Sequence, residues 1–141
     1  MLNDAEIIIR LVLSLILSGL IGLERQMHRR TAGLRTHILV SLGSCLIMLT
    51  SLYIFAIYKN EVPLDPGRIA AGVITGIGFL GAGTIFRSKS EVHGLTTAAS
   101  IWAVAAVGLA IGLGYYLMTI ISVVLILIVL QLNRSEFFKK L

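Results

Sequence analysis

Charged side chains are scarce in this chain, and their scarcity restricts the class of protein more than any motif does. Only 13% of the 141 residues are Asp, Glu, Lys or Arg, whereas 57% are hydrophobic. A soluble domain usually has about 25% charged residues. A globule of this size cannot bury so much apolar surface, so lipid is the expected solvent. The composition therefore predicts an all-α integral membrane protein.

Cysteine is nearly absent, and the usual catalytic and metal-binding signatures are missing. Cys45 is the one cysteine, so no internal disulfide can form. The histidines His28, His37 and His93 fall in predicted loops without the spacing of zinc ligands. Ser100 has no base near it in the sequence, and the G-x-S-x-G motif of serine hydrolases does not occur. These absences predict a protein that is not an enzyme.

Five runs with little or no charge predict transmembrane helices, because a helix needs roughly twenty residues to cross a bilayer. Residues 94–133 are uncharged but too many for one helix. The stretch "GLGYY" divides them, since glycines permit a turn and tyrosines favour a membrane interface. We expect one transmembrane domain over residues 1–141, a five-helix bundle. Its predicted helices cover residues 5–23, 37–58, 67–86, 94–112 and 115–133.

Basic residues are divided unequally between the two sides of this bundle. Nine of the twelve Lys and Arg residues follow the first, third and fifth helices, whereas only Lys59 and Arg68 lie on the other side and Arg10 lies within a helix. The positive-inside rule then places the N-terminus outside and the C-terminus in the cytoplasm. The basic surplus is thus a topology signal, and we expect no nucleic-acid partner.

Two segments resemble each other and predict an internal repeat. Residues 19–43 and 78–104 both contain G-x-x-G, a basic loop, G-L-x-T and an apolar span. Helices one and two would then be a parallel repeat of helices three and four, related by an axis along the membrane normal.

Glycines recur along the third and fourth predicted helices. The sequence G-x-G-x-x-G at residues 76–81 lies inside an uncharged span without a preceding strand, so it does not predict a dinucleotide-binding loop. Glycine faces let helix backbones approach closely, so we expect helices three and four at the centre of the bundle. Alternatively, the glycines loosen helix three so that it bends or lines a cavity. The candidate packing residues are Gly72, Gly76, Gly78, Gly81, Gly83, Gly108 and Gly112.

Arg10 is the charge placed deepest in a predicted span, where an ionisable group needs a partner or water. Asp65, at the outer start of helix three, is a candidate partner. The sequence "LDPGR" also makes Asp65 a candidate helix N-cap, so either role explains it. The other arginines expected in structural ion pairs are Arg25, Arg35 and Arg68.

Magnesium binds oxygen ligands, usually one or two carboxylates with several waters. Glu24 and Asp65 are the candidate magnesium ligands, although they lie at opposite membrane faces and no acidic residue lies near the middle of a span. Near Glu24 we expect a polar cluster that either holds the cytoplasmic loops together or forms a vestibule for a cation. Its hydroxyls belong to Thr36, Thr84, Thr96 and Thr97. No cofactor other than Mg²⁺ is predicted.

Four ordered blocks resemble the MgtC/SapB family of bacterial inner-membrane proteins. They are "GLERQ" (22–26), "AGLRTHILVSLG" (32–43), "DPGRIAAGVITGIGFLGAGTI" (65–85) and "VHGLTTAASIWAVAAVGLAIGLGYY" (92–116). The resemblance covers nearly all of residues 5–130. It implies a multi-pass inner-membrane protein linked to magnesium homeostasis, growth in low magnesium and, in pathogens, survival inside host cells.

Two functions fit this resemblance. One is transport of magnesium, which the family label favours. The other is regulation of another membrane complex, such as restraint of the ATP synthase, which the missing midplane acid favours. Many family members add a cytoplasmic domain after the last helix, and this sequence ends at Leu141 without one. Exposed small-residue faces also predict a homodimer.

Overall fold

The computed structural model describes residues 2–61, 63–88 and 91–132, and within them the chain forms five α-helices and one short β-hairpin. The hairpin pairs β1 (Phe86–Ser88) with β2 (Glu91–His93) in antiparallel register. The helices are α1 (Asp4–Met27), α2 (Leu34–Tyr58), α3 (Pro66–Ala82), α4 (Leu95–Leu113) and α5 (Tyr116–Leu132). Several predicted positions lie outside the described residues: residue 133 at the end of helix five, and Lys89, Arg134, Lys139 and Lys140.

α3 ends at Ala82, four residues before the predicted end of helix three. The uncharged run continues to Phe86, but Gly83 and Thr84 form a turn, and Phe86 is the first residue of β1 and pairs with β2. The rings of Phe86 and His93 stack across the hairpin with centroids 5.3 Å apart. The all-α prediction is therefore right for the bundle and missed this hairpin.

Among the residues that the structure describes, three helices, α1, α2 and α4, are long and apolar enough to cross a membrane. α3 and α5 have 17 residues each. At 1.5 Å per residue they are roughly 26 Å long, slightly shorter than a typical hydrocarbon core of about 30 Å. The lengths and composition identify a membrane protein.

α4 lies at the centre of the bundle and packs against every other helix, whereas α3 packs mainly against α2 and α4. Two glycines of α4 form the close crossing with α2. A β-carbon at Gly112 would lie 2.7 Å from the β-carbon of Met48, and one at Gly108 would lie 2.9 Å from that of Ser44. A larger residue at either position would push α2 away.

The glycines of α3 do not form a matching contact. A β-carbon at Gly72, Gly76 or Gly78 would meet nothing within 4 Å. The expected central position of helix three is therefore wrong, because α3 buries Val73 and Ile77 and turns the glycines outward. Gly81 faces Ala98 of α4 at ordinary contact distance, and Gly83 meets only carbonyl oxygens of its own helix.

Candidate functional site: a buried polar seam

The buried faces of α1 and α2 are rich in polar side chains, whereas their exposed faces are apolar. Exposed residues of α1 include Ile9, Leu15 and Ile16. This arrangement is the reverse of a soluble amphipathic helix and suits a bundle with lipid outside. We call the interface of α1, α2 and α4 the polar seam. Its buried polar side chains are Arg10, Ser14, Ser18, Arg25, His37, Ser41, Ser44, Thr97 and Ser100. Ser51 is also buried, but its hydroxyl donates to the Pro66 carbonyl oxygen of α3.

Serine hydroxyls occupy the middle of the polar seam. The Oγ atoms of Ser14 and Ser41 share a hydrogen bond of 2.8 Å between α1 and α2. Ser18, one turn further along α1, donates from Oγ to the carbonyl oxygen of Ser14 over 2.6 Å. All three side chains are fully buried. The middle of the polar seam therefore contains hydroxyl groups and no acidic side chain.

Arg10 closes one end of the polar seam, at the start of α1. Its guanidinium pairs with Glu6, one turn away, and donates from Nη1 to the carbonyl oxygen of Gly112 over 2.6 Å. Its Nε donates to the hydroxyl of Tyr116 over 3.3 Å. The predicted pairing with Asp65 is wrong, because Glu6 on the same helix is nearer. Asp65 instead caps α3, accepting a hydrogen bond from the Gly67 amide over 2.8 Å.

Next to Arg10, a cavity of about 490 Å³ lies between α1, α2 and α4. Asp4, Arg10 and Tyr53 contribute its polar groups, while leucines form much of the wall. The Arg10 end of the seam therefore has room for a hydrated ion.

A buried ion pair lies at the other end of the polar seam, near the end of α1. Arg25 Nη1 lies 3.6 Å from Glu24 Oε2, and His28 Nδ1 lies 3.1 Å from Glu24 Oε1. The side chains of Arg25 and Glu24 are only 4% and 9% exposed. Among the residues that the structure describes, Glu24 Oε2 and Arg25 Nε make no hydrogen bond. Buried polar atoms normally have a hydrogen-bond partner, so Glu24 Oε2 can accept from water or bind a cation, whereas the Nε–H of Arg25 can donate to water.

His37 is a site residue that the sequence prediction placed in a loop. The structure places it in the first turn of α2, fully buried. Its Nε2 lies 3.0 Å from the hydroxyl oxygen of Ser100 on α4, so Ser100 does have a base beside it. The spacing of His37 and Ser41 could have predicted this burial. The two residues are one helical turn apart, which puts both on one face of the helix.

The predicted inner polar cluster is divided between two places. Thr36 and Thr84 line a pocket of about 320 Å³ between α2, α3 and the hairpin. Thr97 instead lies buried in the polar seam, and Thr96 is exposed. Glu24 does not line the pocket, so carboxylate and threonine hydroxyls do not form one vestibule.

The remaining predicted charged and metal-binding residues stay apart. Arg35 and Arg68 are exposed and form no ion pair with another described residue. Glu24 near the end of α1 and Asp65 before α3 lie at opposite ends of the bundle. Within residues 2–61, 63–88 and 91–132, no three His, Cys, Asp or Glu side chains group into a metal site.

A second surface feature lies outside the polar seam. Gly43, Gly72 and Gly76 line a groove of about 470 Å³ between α2 and α3. No described side chain lies within 4 Å of where their β-carbons would be. The groove is apolar and open, in contrast to the tight glycine crossing of α4.

The chain matches the sequence pattern of the MgtC family over residues 11–136. It is 52% identical over 137 residues to "Putative magnesium transporter YhiD" of Escherichia coli K12, covering 96% of this chain. It is 42% identical over 120 residues to "Protein MgtC" of Salmonella typhimurium, covering 85% of this chain. An uncharacterized protein of Haemophilus influenzae is 38% identical over 128 residues, which is 88% of this chain.

The aligned part makes up 64%, 49% and 54% of these three relatives, respectively, so the chain matches only part of each. No solved structure matches the chain. The family match and the coverage by relatives establish that this chain belongs to the MgtC family.

Proposed function

We propose that this chain spans the bacterial inner membrane with five helices and carries Mg²⁺ along the polar seam in the service of magnesium homeostasis. The observation that supports this proposal most strongly is the polar seam. Polar and charged side chains inside a membrane are costly, and they usually mark an ion or substrate pathway. The name of the relative YhiD supports magnesium as the ion.

The distribution of described charges supports an N-out, C-in orientation. Arg29, Arg30, Arg35 and Arg87 lie at the Glu24 end of the bundle. Basic residues mark the cytoplasmic side of membrane proteins. α3 and α5 cross if the bilayer thins slightly around them, which costs only fractions of a kcal/mol per Å. The repeat of helices one and two in helices three and four belongs to the same proposal.

Mg²⁺ keeps several waters when it binds proteins, so a path needs only a few carboxylates with hydroxyl and carbonyl oxygens. Glu24 Oε2, which lies 3.6 Å from Arg25 Nη1 but accepts no hydrogen bond from a described residue, supplies a carboxylate oxygen at the inner end. Asp4, in the cavity beside Arg10, supplies the outer carboxylate. Asp65 loses this role because it caps α3. Arg10 bridges α1 to α4 and α5, so passage requires its contacts to open.

The test is uptake of Mg²⁺ into liposomes that contain the purified protein, with and without a membrane potential. Glu24→Gln keeps the shape of the side chain but removes its charge. We expect the initial rate to fall about tenfold, the effect of about 1.4 kcal/mol. Glu61→Gln, at an exposed position after α2, is the matched control and should transport like the parent. Equal rates for the two variants would refute the role of Glu24.

A regulatory function is the second candidate, and the groove between α2 and α3 favours it. A transmembrane helix packs well against small residues, so Gly43, Gly72 and Gly76 offer a surface for another membrane protein. The family resemblance makes the ATP synthase one such partner, and a second copy of this chain would fit as a homodimer.

A leucine in the groove separates the two candidates. Gly76→Leu should block docking without touching the polar seam, whereas Gly78→Leu adds the same side chain outside the groove. Both variants are reconstituted with ATP synthase, and proton-driven ATP synthesis and Mg²⁺ uptake are measured. Restraint of ATP synthesis by the parent and by Gly78→Leu, but not by Gly76→Leu, would support the regulatory function. Unaltered ATP synthesis in every sample would exclude the ATP synthase as the partner.

A further inference from the structure

The imidazole of His37 is fully buried where α1, α2 and α4 meet. α1 approaches it closely: a β-carbon at Gly22 would lie 3.0 Å from the β-carbon of His37. Both ring nitrogens have polar neighbours at hydrogen-bond distance. The positions of the protons in these contacts decide what the site can do.

Three contacts around His37 need more protons than the neutral side chains carry. Nδ1 lies 2.8 Å from the carbonyl oxygen of Gly33, and Nε2 lies 3.0 Å from Ser100 Oγ. The Ser100 hydroxyl donates to the carbonyl oxygen of Thr97 over 2.8 Å. Carbonyl oxygens only accept, so the first contact uses the ring proton and the third uses the serine proton. A neutral His37 then has a bare Nε2 facing the lone pairs of Ser100.

One additional proton completes this set of hydrogen bonds. It forms an N–H bond at Nε2, which donates to Ser100 Oγ while Ser100 donates to Thr97. When that proton leaves, the Ser100 hydroxyl must turn from the Thr97 carbonyl to Nε2 to keep the contact between α2 and α4. The gain or loss of one proton therefore changes which helix the Ser100 hydroxyl binds.

Protons can reach His37 from the Glu24 end of the polar seam. Buried polar atoms such as Glu24 Oε2 and Arg25 Nε, which lack a described protein partner, normally bind water. In the other direction, Arg10 ends any proton path because its guanidinium stays protonated. The geometry thus favours exchange with one side of the membrane over conduction across it.

We propose that His37 and Ser100 form a proton-binding site in the polar seam, whose occupancy switches the Ser100 hydroxyl between α2 and α4. The charged groups facing His37 are Glu24 and Arg25 on α1, of opposite sign. Its contacts on α2 and α4 are the Gly33 carbonyl and the Ser100 hydroxyl, neither of which titrates near neutral pH. The proposal goes beyond magnesium transport and stands without it.

The test is nitrogen NMR of the full chain labelled with ¹⁵N-histidine in detergent micelles. The chain has three histidines, so His37→Gln identifies the signals of His37 by their loss. We expect one protonated and one bare ring nitrogen at about pH 8, and two protonated nitrogens at about pH 5. A His37 ring that keeps one bare nitrogen throughout this range would overturn the proposal.

A pair of serine variants tests the role of Ser100. Ser100→Ala removes the acceptor of the Nε2 proton, so proton binding at His37 should weaken about fivefold, as expected for one hydrogen bond. Ser44→Ala is the matched control, because Ser44 is equally buried but donates only to the Val40 carbonyl of its own helix. Proton binding at His37 that is the same in both variants would show that Ser100 plays no part. If Ser100→Ala does not fold, Ser100→Thr, which keeps the hydroxyl, must titrate like the parent.

Discussion

Arg10 Nη1 donates to the carbonyl oxygen of Gly112 over 2.6 Å, and this contact joins α1 to the end of α4. Gly112 also packs against Met48 on α2, with no room for a β-carbon. The three helices of the polar seam therefore meet at one point. The charged side chain of Arg10 holds the bundle together while it closes this end of the polar seam.

Replacement of Arg10 by leucine should lower the free energy of unfolding by about 2–3 kcal/mol, because several buried hydrogen bonds are lost. Thermal unfolding in detergent measures the change. Combined with Glu6→Gln, the loss should be smaller than the sum of the single losses, since the two residues form one pair. Combined with Asp65→Asn, the losses should add. Coupling with Asp65 instead of Glu6 would contradict the observed pairing.

Alanine at Gly112 and alanine at Gly76 should have opposite effects on folding. Gly112→Ala forces α2 and α4 apart and should destabilise the protein by about 1–3 kcal/mol. Gly76→Ala meets no neighbour and should stabilise α3 by about 0.5–1 kcal/mol through its better helix propensity. Melting temperatures of the two purified variants check this contrast. A Gly76→Ala monomer that is less stable than the parent would contradict this prediction and would indicate that α3 packs at the centre of the bundle.

Removal of one hydroxyl from the Ser14–Ser41 pair should cost about 1–2 kcal/mol, because the other hydroxyl loses its buried partner. Ser14→Ala with Ser41→Ala should cost little more than one substitution alone. Thr50→Ala, at an exposed position whose hydroxyl binds only its own helix, is the control and should change stability little. Fully additive losses in the double variant would mean that the two serines do not interact.

Asp65→Ala should reduce stability by about 1 kcal/mol, the usual cost of losing a helix N-cap. It should leave the rate of Mg²⁺ uptake per folded protein unchanged, because Asp65 lies away from the polar seam. Uptake and unfolding are measured on the same preparation. A stable Asp65→Ala variant that no longer takes up Mg²⁺ would contradict this prediction and would indicate that Asp65 lies on the ion path.

The helices were predictable because charge and glycine mark their ends directly. The break at "GLGYY" corresponds to Gly114, whose φ of 88° separates α4 from α5. Hydropathy could not locate the end of α3, since the uncharged run continues through the turn at Gly83 and Thr84 to Phe86, the first residue of β1. A strand pairing depends on contacts that a one-dimensional pattern does not contain.

The residues of the site were only partly predictable. The partner of Arg10 depends on side-chain reach, and Glu6 at one helical turn was the nearer acid. Glycine spacing shows which residues share a face but not whether another helix covers that face, so Gly72 and Gly108 look alike in sequence. His37 was missed because it was grouped with the loop histidines, at the very edge of predicted helix two, whereas α2 begins three residues earlier at Leu34 and buries it.

The most direct test of the polar seam is Mg²⁺ uptake by two variants that each replace a hydroxyl-bearing residue with valine. Ser14→Val replaces a buried hydroxyl in the seam, and Thr50→Val replaces an exposed hydroxyl on α2. Rates in liposomes are compared per amount of folded protein. We expect the parent to show saturable Mg²⁺ uptake, which Thr50→Val retains and Ser14→Val loses. No uptake by the folded parent, or equal uptake by both variants, would contradict it.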